Sequence, residues 1–273
     1  MAELTDSTLT APDGGASPTD KVRDYWEAYA DRVLARGGDL DPREHFSRLS
    51  ADHEIAYTRA NQLLQRHQLA GRAVLELGCG MGFDTIPLAQ AGARVVAIDL
   101  SEKCVALARR HLDWYGVEAD LRLGNAECLG FADETFDLVT ARGLLMFTPE
   151  PTAVLREVLR VLRPGGVVQA ILHNKHSWYV LLGAAAGMNL VDPVEDPSPN
   201  RLYTRAEARA LFEGFADVRI DGGRLPNIPS KRGGLAAKVF NASVVPAAKA
   251  LPRRALEPFG FYLIVEGKKP ARR

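Results

Sequence analysis

The sequence of 273 residues predicts an α/β fold in which an open, doubly wound, mostly parallel sheet lies between helices. From Arg72 onward, short runs of strand length alternate with segments of helix length. Several of these runs are apolar throughout, which is typical of parallel strands that are covered on both faces. The first run leads directly into the turn "GCGMG", and glycine-rich turns of this kind join a strand to a helix at ligand-binding sites.

The region before the sheet has a different character. Residues 1–20 are rich in Ser, Thr, Pro, Asp and Gly, and we expect a disordered lead there because little apolar surface is available for burial. Residues 21–70 contain two stretches with apolar residues at helical spacing, at 21–36 and 43–68. We interpret these stretches as an N-terminal helical lid that precedes a ligand-binding domain at 71–273.

The alternating region predicts five strands with helices between them. Ser101 is a suitable N-cap and Gly116 a suitable C-terminal stop for one of these helices, and another is expected over 83–91. A later helix is expected to end at the turn 164–166, Pro-Gly-Gly. The strands are expected at 73–78, 93–101, 118–124, 135–142 and 167–173.

The rhythm changes after residue 173. A helix that begins with a capping box, Thr204 and Glu207, is expected before two further strands, which brings the sheet to seven. Insertions at about 174–203 and 225–258 interrupt this part, and we expect them to form cap segments because long insertions in compact domains are usually functional. The two further strands are expected at 216–223 and 260–269.

Composition excludes several classes of function. Lys plus Arg and Asp plus Glu are equal at 34 each, so no basic footprint for a nucleic acid is expected. The three cysteines are odd in number and lack paired spacing, which predicts neither a disulfide framework nor a metal site. The N-terminus lacks the pattern of a secretion signal, and the longest apolar stretch is too short to span a bilayer. We therefore expect a soluble cytoplasmic protein, monomeric or homodimeric, with no stable membrane span.

The glycine turn predicts the kind of ligand. Gly78, Gly80 and Gly82 leave the backbone open to close approach, and Asp99, at the end of the next strand, can accept hydrogen bonds from both hydroxyls of a ribose. The spacing is G-x-G-x-G, not the dinucleotide spacing G-x-G-x-x-G, and no phosphate-binding Lys-Ser or Lys-Thr follows. Glu76 would repel a pyrophosphate but suits a cation. These features favour a positively charged nucleoside, S-adenosylmethionine (SAM).

Four stretches carry a resemblance to a known family. "VLELGCGMG", "VVAIDLS", "GNAECLGFADETFDLV" and "LREVLRVLRPGG" resemble motifs of the class I SAM-dependent methyltransferases, in the branch close to the methyltransferases of ubiquinone and menaquinone biosynthesis. The resemblance covers about residues 71–172. It implies a Rossmann-like sheet of seven strands, with the last strand antiparallel, SAM as cofactor and S-adenosylhomocysteine (SAH) as product.

The resemblance also implies roles for individual residues. The methionine end of the cofactor would lie at the glycine turn, the ribose at Asp99 and the adenine near Leu100 and Asn125. The family usually has Asp at position 125, and Asn keeps an acceptor oxygen. Arg142 would border the site of methyl transfer. The cofactor-binding residues implied in this way are Glu76, Gly78, Cys79, Gly80, Gly82, Asp99, Leu100, Asn125, Ala126, Glu127 and Arg142.

Methyl transfer from an activated donor depends mainly on orientation, and a base is needed only where the acceptor must lose a proton. Two candidate bases, His173 and His176, lie directly after the predicted fifth strand, and together with Arg142 they are the candidate catalytic residues. The lid helices contain three further candidates. These are His45, His53 and Tyr57.

Two groups of apolar residues have open interpretations. Relatives often carry His where this chain has Met146 and Phe147, and these two residues form either an apolar wall of the site or part of the core. Tyr25, Trp26 and Tyr29 form either an aromatic lid or ordinary helix packing.

The acceptor is the least determined part of the prediction. The Asp/Asn-Pro-Pro-aromatic motif typical of nucleic-acid and protein amide methyltransferases is absent after the fourth strand, where the sequence is "TARGLLMFTPEP". We therefore expect a small, partly hydrophobic acceptor, with O-, N- and C-methylation all open. The alternatives are a non-catalytic SAM-binding subunit, a peptide or protein methyltransferase and, less favoured, an NAD(P)-dependent oxidoreductase.

Overall fold

The computed structural model of the chain describes residues 16–178, 180–181, 200–223, 238–239, 242–243, 246–247 and 250–271. Residues 1–15 of the predicted lead, and most of both predicted cap insertions, lie outside the described residues. The lead was expected to reach residue 20, but the chain is helical from Pro18 because Ser17 caps a helix there.

Two long helices precede the sheet, as the apolar spacing predicts. Helix α1 spans Pro18–Ala35 and helix α2 spans Pro42–Leu64, followed by a 3-10 turn at Gln65–His67. Each begins with a proline after a side-chain cap, an arrangement that satisfies free N–H groups at a helix start. In α2, the carboxylate of Asp41 accepts hydrogen bonds from two backbone N–H groups.

The strands are β1 (Ala73–Leu77), β2 (Arg94–Asp99), β3 (Asp120–Leu123), β4 (Phe136–Arg142), β5 (Leu162–Asn174), β6 (Leu202–Tyr203), β7 (Ala216–Gly223) and β8 (Tyr262–Lys268). Seven of them form the sheet in the order β3-β2-β1-β4-β5-β8-β7, and the two-residue β6 pairs with the end of β5. Strand β8 is antiparallel to both of its neighbours, whereas β1 to β5 are parallel. The predicted fold class is confirmed. The strand order reverses between β1 and β4, which is where such sheets bind ligands.

The remaining helices are α3 (Thr85–Gln90), α4 (Glu102–Tyr115), α5 (Pro151–Val161), α6 (Arg205–Leu211) and α7 (Arg253–Leu256). Two predicted ends are confirmed in α4, where the Ser101 hydroxyl accepts from a backbone N–H and Gly116 ends the helix with φ +62°. The predicted capping box of Thr204 and Glu207 is present in α6.

Two predicted helix boundaries are wrong. Helix α5 ends at Val161, ahead of the Pro-Gly-Gly turn at 164–166, because Leu162 is already extended and pairs with Phe136 of β4. The turn therefore lies inside a β5 that is longer than predicted. Helix α3 begins at Thr85, two residues later than expected, which leaves Asp84 free of the helix and next to the glycine turn.

Apolar clusters cover both faces of the sheet, as a doubly wound fold requires. On one face, the buried side of α5 and Phe212 pack against β4 and β5. On the other face, Leu64, Leu88 and Ala108 pack against β1 and β2. Over the described ranges, none of the helices combines the length and the hydrophobicity that crossing a lipid bilayer requires. Because both faces of the sheet are covered, a ligand-binding site is expected at the carboxyl-terminal edge of the parallel strands.

The contact between β7 and the 3-10 turn before β8 gives a test of the fold. A Cβ on Gly222 would overlap the Glu257 carbonyl oxygen, so Gly222→Ala must displace backbone. We expect it to lower the free energy of unfolding by about 3 kcal/mol, at the upper end of overpacking effects. Urea unfolding measures this change. The matched control is Gly130→Ala, since no described atom lies within 4 Å of a Cβ built there. Equal midpoints of urea unfolding for Gly222→Ala and Gly130→Ala would contradict the close contact between Gly222 and Glu257.

Candidate cofactor site and active site

The turn after β1 holds its three glycines in backbone conformations that other residues rarely adopt. The φ angles are +74° at Gly78, +52° at Gly80 and +85° at Gly82. A Cβ on Gly78 would lie 2.9 Å from the end of the Leu144 side chain, and a Cβ on Gly82 would lie 3.2 Å from the end of the Leu112 side chain, so a larger residue would press on these leucines in addition to the backbone strain. Gly80 differs, because no described atom lies within 4 Å of a Cβ built on it. It faces space that a ligand can enter.

Asp99 ties this turn to the end of β2. One carboxylate oxygen accepts a hydrogen bond from the Gly80 N–H at 2.9 Å, and the other accepts from the Ser101 N–H at 2.9 Å. Burial raises the pKa of Asp99, while these hydrogen bonds favour the ionised form. Each carboxylate oxygen has two lone pairs, so both keep capacity for a second donor. The carboxylate lies directly beside Gly80, the open position of the turn. Contact with ribose hydroxyls stays a prediction.

Glu76 is buried beneath the turn, with 4% of its surface exposed. Its carboxyl group accepts a hydrogen bond of 2.6 Å from the Thr85 hydroxyl at the start of α3. Burial, and then the nearby charge of Asp84, raise the pKa of Glu76 to about 8, although Thr85 and Arg142 act in the opposite direction. The group is therefore largely protonated at neutral pH, and a nearby cation would favour its ionised form.

The residues implied for adenine binding follow β2 and β3. Leu100 is half-buried beside Asp99, and Ala126 is buried in the main core. The Asn125 side-chain oxygen accepts from the Glu127 N–H at 2.9 Å, which closes a local turn. The carboxylate of Glu127 accepts from the hydroxyl of Thr148 and from a backbone N–H, so it ties this loop to the segment before α5. Adenine contact by these residues stays a prediction.

The cysteines are free thiols. Cys79 lies in the glycine turn with its side chain buried, and burial raises the pKa of its thiol far above the usual value. A thiol in this state is a poor nucleophile, so Cys79 contributes shape rather than chemistry to the turn. Within the part of the chain that the structure covers, no group of three or more His, Cys, Asp or Glu side chains could hold a metal ion.

Arg142 is the last residue of β4 and forms the centre of a buried polar cluster. Its side chain is 4% exposed. One terminal nitrogen donates to Asp84 and to Asn61 of α2, both at 2.6 Å, and the other donates to Gln169 of β5 at 2.9 Å. The guanidinium group therefore joins the lid helix to the sheet. These contacts do not test whether Arg142 borders the site of methyl transfer, which stays a prediction.

Asp84 is the main residue of the site that sequence reasoning missed. One carboxylate oxygen accepts from Arg142, and the other lies 3.1 Å from Nε2 of His53 in α2. Burial alone would raise the pKa of Asp84, but Arg142 and His53 outweigh it and hold the pKa well below its usual value. The available signal was an acidic residue in the apolar stretch directly after the glycine turn. The predicted helix began at Phe83, so Asp84 was interpreted as an ordinary helix residue.

A chain of ring contacts follows the carboxyl-terminal edge of the sheet, and we call it the aromatic arc. It begins at α1, passes the ends of β4, β5 and β8 and finishes on α2. Neighbouring ring centroids are 5.1, 6.0, 5.8, 5.1 and 4.4 Å apart. In order, its members are Trp26, Phe147, His173, Tyr262, Tyr57 and His53.

The ring contacts bear on both open interpretations of the apolar groups. Tyr25 and Tyr29 pack against the ring of Trp26, and Trp26 in turn contacts Phe147, so Trp26 connects the helix packing of α1 to the arc. Met146 is a core residue, with 1% of its surface exposed. Its neighbour Phe147 belongs to the same core but also contributes the apolar wall.

His173 is the candidate base that the structure surrounds most completely. It lies within β5, and its Nδ1 is 2.9 Å from the side-chain oxygen of Asn200. An amide oxygen only accepts, so Nδ1 donates its hydrogen to Asn200. The rings of Phe147 and Tyr262 contact the imidazole. The hydrogen bond fixes the orientation of the ring, and a role as general base stays a prediction.

The other candidate bases have different surroundings. His176 is exposed outside the arc, and its backbone N–H donates to Asn174. His45 is engaged within the lid, where Nε2 lies 2.9 Å from the Val33 carbonyl oxygen. His53 and Tyr57 belong to the arc, and burial raises the pKa of Tyr57 well above its usual value. A role for any of these side chains in proton transfer stays a prediction.

The buried ion pair of Asp84 gives a test of the cluster. Asp84→Asn keeps the shape of the side chain but leaves the Arg142 charge without a counter-ion, and breaking a buried pair costs about 3–5 kcal/mol. The matched control is Asp133→Asn, whose ion pair with Arg160 involves a carboxylate that is 72% exposed. Such surface pairs contribute about 1 kcal/mol or less. Urea unfolding should separate the two variants, and equal losses of stability would show that the Asp84 pair is not structurally important.

Comparison with known proteins agrees with this geometry. A family profile described as "Methyltransferase domain" matches residues 75–170, from β1 into β5. The ubiquinone biosynthesis O-methyltransferase of Stutzerimonas stutzeri is 36% identical over 143 residues, which are 51% of this chain and 62% of that protein. The chain therefore spans less than two thirds of the length of this curated relative.

Solved structures show the same fold. A chain from the complex between the Haloferax volcanii Trm112 methyltransferase activator and a methyltransferase is 18% identical, with a TM-score of 0.64 over 92% of this chain and 99% of that chain. The magnesium protoporphyrin IX methyltransferase of Synechocystis, with bound SAM, is 19% identical, with a TM-score of 0.58 over 94% of this chain and 99% of that chain. The profile match shows that residues 75–170 are similar to a methyltransferase domain, and the solved structures show that the sheet with its strand order belongs to the same fold.

Proposed function

We propose that the chain is a SAM-dependent methyltransferase whose acceptor is a small, partly hydrophobic molecule. The observation that carries this proposal is the hydrogen bond between Gly80 and Asp99. It holds a carboxylate with free acceptor capacity beside a backbone position that is open to a ligand. The same edge of the sheet carries the aromatic arc, which offers apolar surface for an acceptor.

The residues present suit SAM in both charge and shape. The turn at Gly80 would receive the methionine end, Asp99 would bind the ribose hydroxyls, and Glu76 offers a carboxyl group that a sulfonium cation would help to ionise. When bound, SAM supplies a methyl group on a positively charged sulfur. The methyl group is transferred to the acceptor, and SAH is the product. The chain's own contribution is to orient the two reactants and exclude water from between them, an effect worth about 7–11 kcal/mol when geometry is well controlled.

We assign the general base to His173. Nε2 of this residue takes the proton that the acceptor loses as its new bond to carbon forms, and Asn200 holds the ring in the required tautomer through Nδ1. The relative from Stutzerimonas stutzeri is named as an O-methyltransferase, which supports a hydroxyl acceptor here. A hydroxyl group is also the kind of acceptor that benefits from a base.

The His173–Asn200 pair also bears on the alternative that the chain is a non-catalytic SAM-binding subunit. A binding subunit has no need of an imidazole whose orientation is fixed by a hydrogen bond at the edge of the sheet where we propose that the acceptor lies. Phe147 and Tyr262, which contact the ring, give the pair an apolar setting of the kind that desolvates reacting groups. These features favour a catalytic chain.

Cofactor binding tests the first part of this proposal. Asp99→Ala should weaken binding of SAH about 10²- to 10⁴-fold, because two hydrogen bonds to a charged group are lost and each contributes about 1.5–3 kcal/mol. Isothermal titration calorimetry measures the dissociation constant, and circular dichroism checks that the variant folds. The exposed Asp133→Ala should bind SAH as the wild type does. Heat from NADH, with none from SAH, would overturn the proposal in favour of an oxidoreductase.

The base can be tested with methyl-labelled SAM and a metabolite extract as the source of acceptors, followed by mass identification of the labelled product. His173→Gln should lower the rate of label transfer about 10²- to 10⁴-fold, the usual contribution of a general base, while SAH binding is unchanged. Lys175→Gln, at an exposed neighbouring position, is the control for disturbance of the loop. A comparable loss with His176→Gln and none with His173→Gln would move the base to His176.

A further inference from the structure

The irregular loop between β4 and α5 is held by Arg201, which lies just before β6. The backbone N–H of Arg201 donates to the Met146 carbonyl oxygen at 2.9 Å. Its guanidinium group donates to the carbonyl oxygens of Thr148 and Pro149, both at 2.8 Å. A guanidinium presents its donors in a fixed fork, so two neighbouring carbonyl groups can be held at once. One residue thus engages three carbonyl groups of this loop.

Phe147 lies between the carbonyl groups that Arg201 engages. Its ring contacts the imidazole of His173, with centroids 6.0 Å apart and planes nearly perpendicular. Asn200, the residue directly before Arg201, places its side-chain oxygen 2.9 Å from Nδ1 of the same imidazole. Arg201 is therefore next in sequence to one group that touches His173, and it is bonded on both sides of another. Both contacts depend on how the segment at 200–201 meets the loop after β4.

Tyr203 also joins these two segments, but at a different point. Its hydroxyl donates to the Leu145 carbonyl oxygen at 3.2 Å, and its carbonyl oxygen accepts from the Lys175 N–H at 2.9 Å. These contacts hold β6 on the sheet and reach the loop two residues ahead of Phe147. Arg201 is the residue of this segment whose side chain bonds the loop beyond Phe147.

We propose that Arg201 is a positioning residue for methyl transfer, which locks the loop after β4 against the segment at 200–203 and thereby sets the orientation of His173. This inference rests on the proposed function, since it takes His173 as the general base. Arg201 acts through Asn200 and Phe147 rather than on the reactants. Such a role has a large effect on rate, because a displacement of about 1 Å in a reacting group can cost about 10²-fold.

NMR of the histidine rings tests the positioning in the full chain without a methyl acceptor. Long-range ¹H–¹⁵N spectra of the chain with ¹⁵N-labelled histidine show which ring nitrogen carries hydrogen in each of the six histidines, and His173→Gln identifies the signal of His173. In the wild type we expect hydrogen on Nδ1, where Asn200 accepts it. In Arg201→Met, which keeps an unbranched side chain but has no donor, we expect a mixture of hydrogen positions.

Transfer of label from methyl-labelled SAM to a metabolite extract tests the consequence for rate. Arg201→Met should lower this rate about 10²-fold, with SAH binding by calorimetry unchanged. In the His173→Gln background, the same substitution should lower the rate by less than about twofold, because a residue that acts through the base has little effect once the base is gone. Arg201→Lys reaches one carbonyl oxygen at a time, so its rate should lie between those of the wild type and Arg201→Met.

Arg160→Met is the matched control. The guanidinium group of Arg160 also donates to two backbone carbonyl oxygens, those of Phe131 at 2.6 Å and Leu129 at 2.8 Å, but it holds the loop at 129–131. This variant should lower the midpoint of urea unfolding and leave the NMR signal of His173 unchanged. Should Arg201→Met fail to fold, Arg201→Lys replaces it, and a His173 signal and a rate identical to the wild type would then overturn the proposal.

The outcomes separate this inference from the function on which it rests. An unchanged His173 signal in Arg201→Met would overturn the positioning role and leave the proposed function intact. An equal fall in rate on Arg201→Met with and without His173 would do the same. A wild-type rate in His173→Gln would overturn both the base and this inference, while SAM-dependent methyl transfer would stand.

A wild-type chain that neither binds SAH nor transfers label would overturn the proposed function itself. The His173 signal would still decide, in that case, whether Arg201 orients the ring.

Discussion

The hydrogen bond from the Gly80 N–H to the Asp99 carboxylate is the interaction on which the site depends. It joins the turn after β1 to the end of β2, next to the point where the strand order reverses. The left-handed backbone at Gly80 directs the N–H towards Asp99 while leaving the other side of the residue open. One contact thus shapes the turn, positions a carboxylate and leaves open space at the edge where sheets of this kind bind ligands.

Helix α2 is attached to this edge by buried charged groups as well as by apolar packing. Arg142 joins α2 to β4 and β5. His53 of α2 contacts Asp84, which directly follows the glycine turn, so this pair joins α2 to the turn. These contacts are buried, so breaking any of them is costly, and they hold α2 against the strand ends. His53 and Tyr57 of α2 also belong to the aromatic arc, so the same contacts join the arc to the glycine turn.

Local patterns predicted the parallel strands, the glycine turn and the caps of α4 and α6, because apolar periodicity and capping chemistry act over a few residues. The antiparallel last strand was implied by the family resemblance. Long-range contacts could not be read in this way. The role of Asp84 depends on Arg142, 58 residues later, and Asn200 meets His173 only after the chain returns beside β5. The end of α5 was misplaced for a related reason, since pairing of Leu162 with Phe136 overrode the Pro-Gly-Gly turn.

The account depends centrally on where an adenosyl ligand lies. A crystal structure of the chain with SAH measures this most directly. We predict both ribose hydroxyl oxygens within about 2.5–3.2 Å of the Asp99 carboxylate, the range of ordinary hydrogen bonds, with the homocysteine portion passing Gly80. Electron density for SAH at another edge of the sheet, or a ribose turned away from Asp99, would contradict the account.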